Sequence, residues 1–180
     1  MAFPKKLPFQ KIFSVAFFFF LKEKKRKKRG RGGGGEGGER RGKRRKEGEK
    51  KMKLKLLEVQ YLGFYTNCYL VASEEKNAVV IDPGAEPEKI VKALRENGWD
   101  LKYILLTHAH HDHIRGLKGV KEAFPGAKVG VGEGDVQMLC DKSINFKMSR
   151  CHNNGEFDDL KNDFVLKDGE EISLDELTFR

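Results

Sequence analysis

An α/β fold is predicted for the region that begins at Met52, on three observations. Apolar runs of strand length alternate with amphipathic runs of helix length. Turn-forming residues stand between them, at Asp82-Pro83-Gly84, Gly98 and Pro125-Gly126. Finally, four of the chain's five histidines crowd into Thr107–His113, straight after the buried-strand pattern Tyr103-Ile104-Leu105-Leu106. Open α/β sheets place their sites just beyond the carboxyl ends of such strands.

Residues 1–51 stand apart. They carry 19 Lys+Arg against 5 Asp+Glu, a balance of +14, whereas residues 52–180 carry 17 against 22, or −5. The net charge of +9 therefore belongs to the tail, and so does any pull toward nucleic acid or anionic membranes. Ile12–Leu21 is an apolar run with four consecutive Phe, too short to span a bilayer, which takes about 20 residues. It is followed by dense positive charge, the wrong flank for an export signal. Residues 22–51 contain only Lys, Arg, Glu and Gly, an alphabet that builds no core and predicts disorder. Arg29-Gly30-Arg31-Gly32 resembles an Arg/Gly-rich RNA-binding tail, so nucleic acid is a partner if the tail is native. All four amino acids also have purine-only codons, and a Phe run has thymine-rich ones. A translated ribosome-binding region would look like this, and the expected native start is Met52.

From there the elements follow in order. Leu54–Leu62 reads as a strand closed by Gly63, then Thr66–Val71 and Ala78–Ile81 as two more, joined as a hairpin by a short polar link. Glu86–Asn97 reads as a helix, with Pro87 in its first turn and Gly98 as its stop. A strand at 102–106 leads into the histidines. A helix over Leu117–Phe124, a strand over Lys128–Val131 and a short helix over Gly134–Cys140 come next. Asp141–Asp163 lacks periodicity and reads as a long loop, with His152 beside Cys151 as a weak ligand candidate. Strands follow at Phe164–Leu166, before Leu174, and from Leu177. Cys68, Cys140 and Cys151 are an odd set without a Cys-x-x-Cys pair, which argues for buried thiols, a reducing compartment and a cytoplasmic location.

Imidazole nitrogen and carboxylate oxygen suit zinc, iron and manganese. In His108-Ala109-His110 on extended backbone both rings point to one side. Asp112-His113 can then reach a second position if the chain turns after His110.

His108-Ala109-His110-His111-Asp112-His113 matches the His-x-His-x-Asp-His signature of the metallo-β-lactamase superfamily, with Thr107 and Gly116 where that family often has them. Asn67-Cys68-Tyr69 followed by Val80-Ile81-Asp82-Pro83-Gly84 resembles the opening of its glyoxalase II-like (hydroxyacylglutathione hydrolase-like) branch. The resemblance implies a metallo-β-lactamase-like αββα sandwich, of which residues 52–180 are the N-terminal half. It implies two zinc ions, with iron or manganese as alternatives. His108 and His110 would hold one, Asp112 and His113 the other. Asp112 would also orient a zinc-bound hydroxide, and His111 would face elsewhere. Asp82 would lie beneath the loop and hold it by hydrogen bonds. The implied reaction is hydrolysis of a small-molecule thioester of acylglutathione type. Lactone hydrolysis, nuclease action and iron-dependent persulfide oxidation remain open on the same scaffold. The family's later Gly-His ligand, bridging Asp and final His have no counterpart, since no histidine follows His152. The expectation is therefore a fragment that binds metal weakly, is inactive, and exposes Ile104, Leu105 and Leu106.

Overall fold

The computed structural model describes residues 52–141 and 157–180. The readings made for residues 1–51, for Cys151 and His152, and for most of the 141–163 loop lie outside the described residues.

Six strands form one sheet in the order β1-β2-β3-β4-β5-β6. β1 (Lys53–Tyr61), β2 (Phe64–Ala72) and β3 (Asn77–Ile81) are an antiparallel meander. β4 (Asp100–Leu106), β5 (Lys128–Gly132) and β6 (Phe164–Leu166) continue parallel to β3. The crossover from β3 to β4 is α1 (Pro87–Glu96), and the one from β4 to β5 carries α2 (His111–Ile114) and α3 (Leu117–Ala123). A 3-10 turn (Glu133–Asp135) leads into α4 (Val136–Cys140), where the sequence predicted one helix from Gly134. β7 (Ile172–Leu174) and β8 (Leu177–Phe179) make a separate hairpin. Strands and longer helices thus fall where expected. The turn at Leu62-Gly63 that pairs β1 with β2, and α2 inside the histidine loop, were not anticipated.

Both faces of the central strands are covered. On one, Leu70, Val80, Ile104 and Leu106 pack with Ile90 and Leu94 of α1 and Leu117 and Val120 of α3. On the other, Val71, Val79, Ile81 and Leu105 meet Leu174, Leu177 and Phe179 of the β7–β8 hairpin. The expected exposure of Ile104, Leu105 and Leu106 is therefore wrong: they are 0%, 0% and 1% exposed. Ile104 and Leu106 lie under α1 and α3, and Leu105 lies under the hairpin, whose turn is fastened to the β2–β3 link. Ser73 Oγ and Asn77 Nδ2 donate to Asp175 Oδ2 at 2.6 and 2.8 Å, and the Glu74 N–H donates to Glu176 Oε1 at 2.8 Å. Leu54, Leu56, Leu62, Phe64 and Tyr65 are the large apolar side chains that stay exposed, all on β1, β2 and their turn. The outer edge of β1 is blunted at one point by α1. Gln60 N–H donates to Glu86 Oε2 at 2.8 Å, and Lys89 Nζ donates to the Glu58 carbonyl at 2.6 Å. No helix among the described residues is long and apolar enough to cross a membrane.

Candidate metal centre

Parallel pairing of Ile81 with Leu105 sets the ends of β3 and β4 side by side, so Asp82 emerges next to Thr107. Asp82 adopts a left-handed backbone (φ 52°), a conformation Asp tolerates better than most residues. Its carboxylate is buried beneath the loop. Oδ1 accepts the Thr107 N–H at 2.8 Å and Oδ2 accepts the Thr107 hydroxyl at 2.6 Å. His113 Nδ1 comes within 3.0 Å of Oδ2, ion-pair distance. The side chains of Asp82 and His113 are each 5% exposed.

These contacts fix which nitrogens face the cavity. The Thr107 hydroxyl has one proton and directs it to Asp82, so toward His108 Nδ1, 3.1 Å away, it acts as acceptor. His108 then carries its proton on Nδ1 and turns the Nε2 lone pair outward. Burial, with the neighbouring charges of His113 and His110, lowers the pKa of His108 and favours its neutral, ligand-ready form. For His113 burial acts downward, but the hydrogen-bonding and charge of Asp82, helped by Asp112, prevail and raise it. With Nδ1 toward Asp82, its Nε2 lies 3.6 Å from Asp112 Oδ2.

His108 to His110 is extended backbone, and His110 (φ −68°, ψ 148°) is the residue from which α2 starts. Alternation sends the Ala109 methyl into the core, fully buried. The rings of His108 and His110 meet edge to face at 4.5 Å, and His113 brings its ring to 4.0 Å from His108. The one-turn helix α2 supplies the bend after His110, with His113 N–H donating to the His110 carbonyl at 2.9 Å. His111 opens α2 and, with Asp112, lines a small hollow under the β1–β2 hairpin beside Tyr61, Phe64 and Arg115.

The Asp-Pro-Gly turn clamps the loop at both ends. A Cβ on Gly84 would lie 2.0 Å from the Asp112 carbonyl oxygen, so only glycine permits this approach. Gly116 N–H donates to the Pro83 carbonyl at 2.8 Å, and a Cβ there would crowd the same oxygen.

Two neighbours were not legible beforehand. Arg115 is buried, its guanidinium 3.6 Å over the Tyr61 ring and 4.9 Å from that of Phe157. Asp135 Oδ1 accepts the Ala109 N–H at 3.0 Å. The only sequence signal at Asp135 was a helix-capping residue type ahead of an apolar run. Of the described cysteines, Cys68 is a buried thiol whose pKa burial and Asp82 push up, out of reach of thiolate chemistry. Cys140 is exposed, contrary to the expectation that each cysteine is a small buried hydrophobe.

As a donor set these residues suit zinc, iron or manganese. Among the described residues, no group of three or more His, Cys, Asp or Glu is arranged to hold a metal. The rings of His108, His110 and His113 stand together, and Asp112 Oδ2 lies 3.6 Å from His113 Nε2.

Residues 61–179 match the family model described as the metallo-beta-lactamase superfamily. The hydroxyacylglutathione hydrolase GloC of Haemophilus influenzae is 37% identical over 84 residues, 47% of this chain and 39% of that protein. Hydroxyacylglutathione hydrolase 1 of Vibrio vulnificus is 43% identical over 92 residues, 44% of this chain and 37% of that one. The chain thus spans less than two-fifths of the length of these relatives. Among solved structures, the BLEG-1 B3 metallo-β-lactamase superposes with a TM-score of 0.56 at 24% identity, over 70% of this chain and 58% of that one, a likeness of fold.

Proposed function

This chain belongs to the metallo-β-lactamase superfamily, and from that premise we propose that residues 52–180 are the N-terminal part of a metal-dependent hydrolase domain, with residues 1–51 a separate basic tail. The reaction we propose is hydrolysis of a small-molecule thioester of acylglutathione type. The observation that supports this best is the buried Asp82 carboxylate, which gathers Thr107 and His113 and, through the Thr107 hydroxyl, sets the tautomer of His108. A histidine ligand whose second nitrogen is held by a carboxylate or hydroxyl is the usual way a protein orients a metal ligand.

In this reading His108 and His110 hold one divalent ion through ring nitrogens, and Asp112 and His113 hold a second. Zinc is the proposed metal, with iron or manganese as alternatives that the donor set also suits. When bound, the ions would supply a water far more acidic than free water and stabilise a developing oxyanion. Asp112, the more exposed of the two carboxylates, would orient the attacking water and take its proton. Asp82 beneath the loop keeps Nδ1 of His113 turned inward. Since each ion takes only a pair of groups from the described residues, retention by residues 1–180 alone should be weak.

The test uses protein purified from its natural source, stripped with a chelator, reloaded with zinc and offered an acylglutathione thioester, a lactone and a phosphodiester. The expected result is thioester cleavage that chelation abolishes and zinc restores. Cleavage of the phosphodiester or lactone in preference would overturn the thioester assignment. Turnover that survives chelation would overturn the metal reading.

A further inference from the structure

We propose that Asp135 is a positioning residue for the pair His108 and His110, a second carboxylate that holds the histidine loop from the side opposite Asp82. The inference deepens the metal reading above and rests on it for its consequence, though not for the contact itself.

The geometry is specific. The Ala109 peptide lies between the two histidines, and its direction decides on which side of the backbone both rings stand. Its N–H donates to Asp135 Oδ1 at 3.0 Å, across 26 residues of sequence. Ala109 is fully buried, so no solvent is at hand to replace that acceptor. A buried amide left without a partner costs about 1–3 kcal/mol. The contact therefore penalises any rotation of this peptide, and with it any swing of the ring pair.

Asp135 also departs from its local role. It stands at the N-cap of α4, where an Asp carboxylate ordinarily accepts an N–H of the helix's own first turn. Here the side chain makes no capping bond. It is turned instead to Ala109. A residue that forgoes its local stabilisation for a contact to a site loop is the pattern found where structure serves function.

The two carboxylates divide the work. Asp82 fixes Thr107 and approaches His113, while Asp135 fixes the peptide between His108 and His110. β5 and the turn after it thus reach a loop that grows from β4. A backbone acceptor, not a negative charge, is what Ala109 needs. An amide oxygen at the same place should serve, and Asp135→Asn should retain the function that Asp135→Ala loses.

The experiment compares the full chain with Asp135→Asn and Asp135→Ala. Exchange of the Ala109 amide is followed by NMR without metal, and cobalt(II) is titrated by visible absorption. Asp135→Ala should speed Ala109 exchange at least tenfold. It should also weaken cobalt binding about tenfold and alter the cobalt spectrum, in line with loss of an outer partner of a ligand. Asp135→Asn should stay within about threefold of the unmodified chain in both, on the same principle. An unchanged cobalt affinity and spectrum in Asp135→Ala, or equal losses in the two variants, would overturn the proposal. Cobalt bound by the unmodified chain without an imidazole signature would overturn the metal reading; where binding is too weak to titrate, unchanged Ala109 exchange in Asp135→Ala would overturn the proposal.

Discussion

Leu105 and Leu56 are the same residue in the same sheet, and one is fully buried while the other is 54% exposed. Sequence pattern does not separate them, since both sit in apolar runs. Cover does. Leu105 lies at the centre, under Leu174, Leu177 and Phe179 of the β7–β8 hairpin. Leu56 lies on the outer strand β1, paired with Tyr69, and stands outside the cluster that the hairpin makes with Tyr69 and the central strands. β1 itself is anchored through Val59, with Leu57 and Tyr61, on the helix-covered face. The histidine loop springs from the doubly covered centre. A metal site needs its ligands held to a fraction of an ångström, and the centre is where this sheet can do so.

The largest expected effect tests that contrast directly. Leu105→Ala should cost about 2–5 kcal/mol, the range for emptying a packed site, and Leu56→Ala no more than about 0.5 kcal/mol. Urea unfolding of the two variants measures both. Similar losses would mean that the β1 face is covered in solution. Next comes a pair of glycines. Gly84→Ala drives a Cβ into the Asp112 carbonyl and should cost about 3 kcal/mol together with metal affinity. Gly63→Ala, in the open β1–β2 turn at φ 83°, should cost roughly 1–2 kcal/mol from backbone strain alone and leave metal binding as it was.

A smaller effect marks the opposite edge of the sheet. Asp163 Oδ2 accepts the Val129 N–H at 2.7 Å and Lys121 Nζ at 3.1 Å, and these hold its pKa below the usual aspartate value. Its carboxylate therefore adds stability above the ordinary aspartate pKa, and that stability is lost as pH falls through the lowered one. Asp163→Asn should flatten the acid limb of the stability profile by less than about 1 kcal/mol, because the side chain is 43% exposed. The smallest effect is none at all: removal of residues 1–51, whose basic stretch lacks core-forming residues, should leave the unfolding midpoint unchanged. A fall of several degrees would show that the tail packs on the domain.

Much of this was readable in advance for physical reasons. Period-two and period-3.6 patterns placed the strands and longer helices, and Pro87 and Gly98 bracketed α1 as their backbone preferences demand. The histidine spacing brought His108 beside His110 by alternation, whereas His113 reaches His108 through the turn of α2. What escaped were contacts distant in sequence. Nothing local to Leu105 reports that residues 174–179 will cover it. Nothing local to Asp135 distinguishes a helix cap from an acceptor for Ala109. The same limit applies to Arg115, whose stacking on Tyr61 and Phe157 joins three separate segments.

The central claim is that one face of the loop holds an ion and the other does not. Cobalt(II) titration of the full chain beside His110→Ala and His111→Ala tests it most directly. His110→Ala should lose affinity by roughly tenfold or more, at least what losing an outer partner costs, and should shed the absorption of imidazole-bound cobalt. His111→Ala, whose ring lies under the hairpin, should titrate like the unmodified chain. Equal losses in the two variants, or none in His110→Ala, would contradict the account.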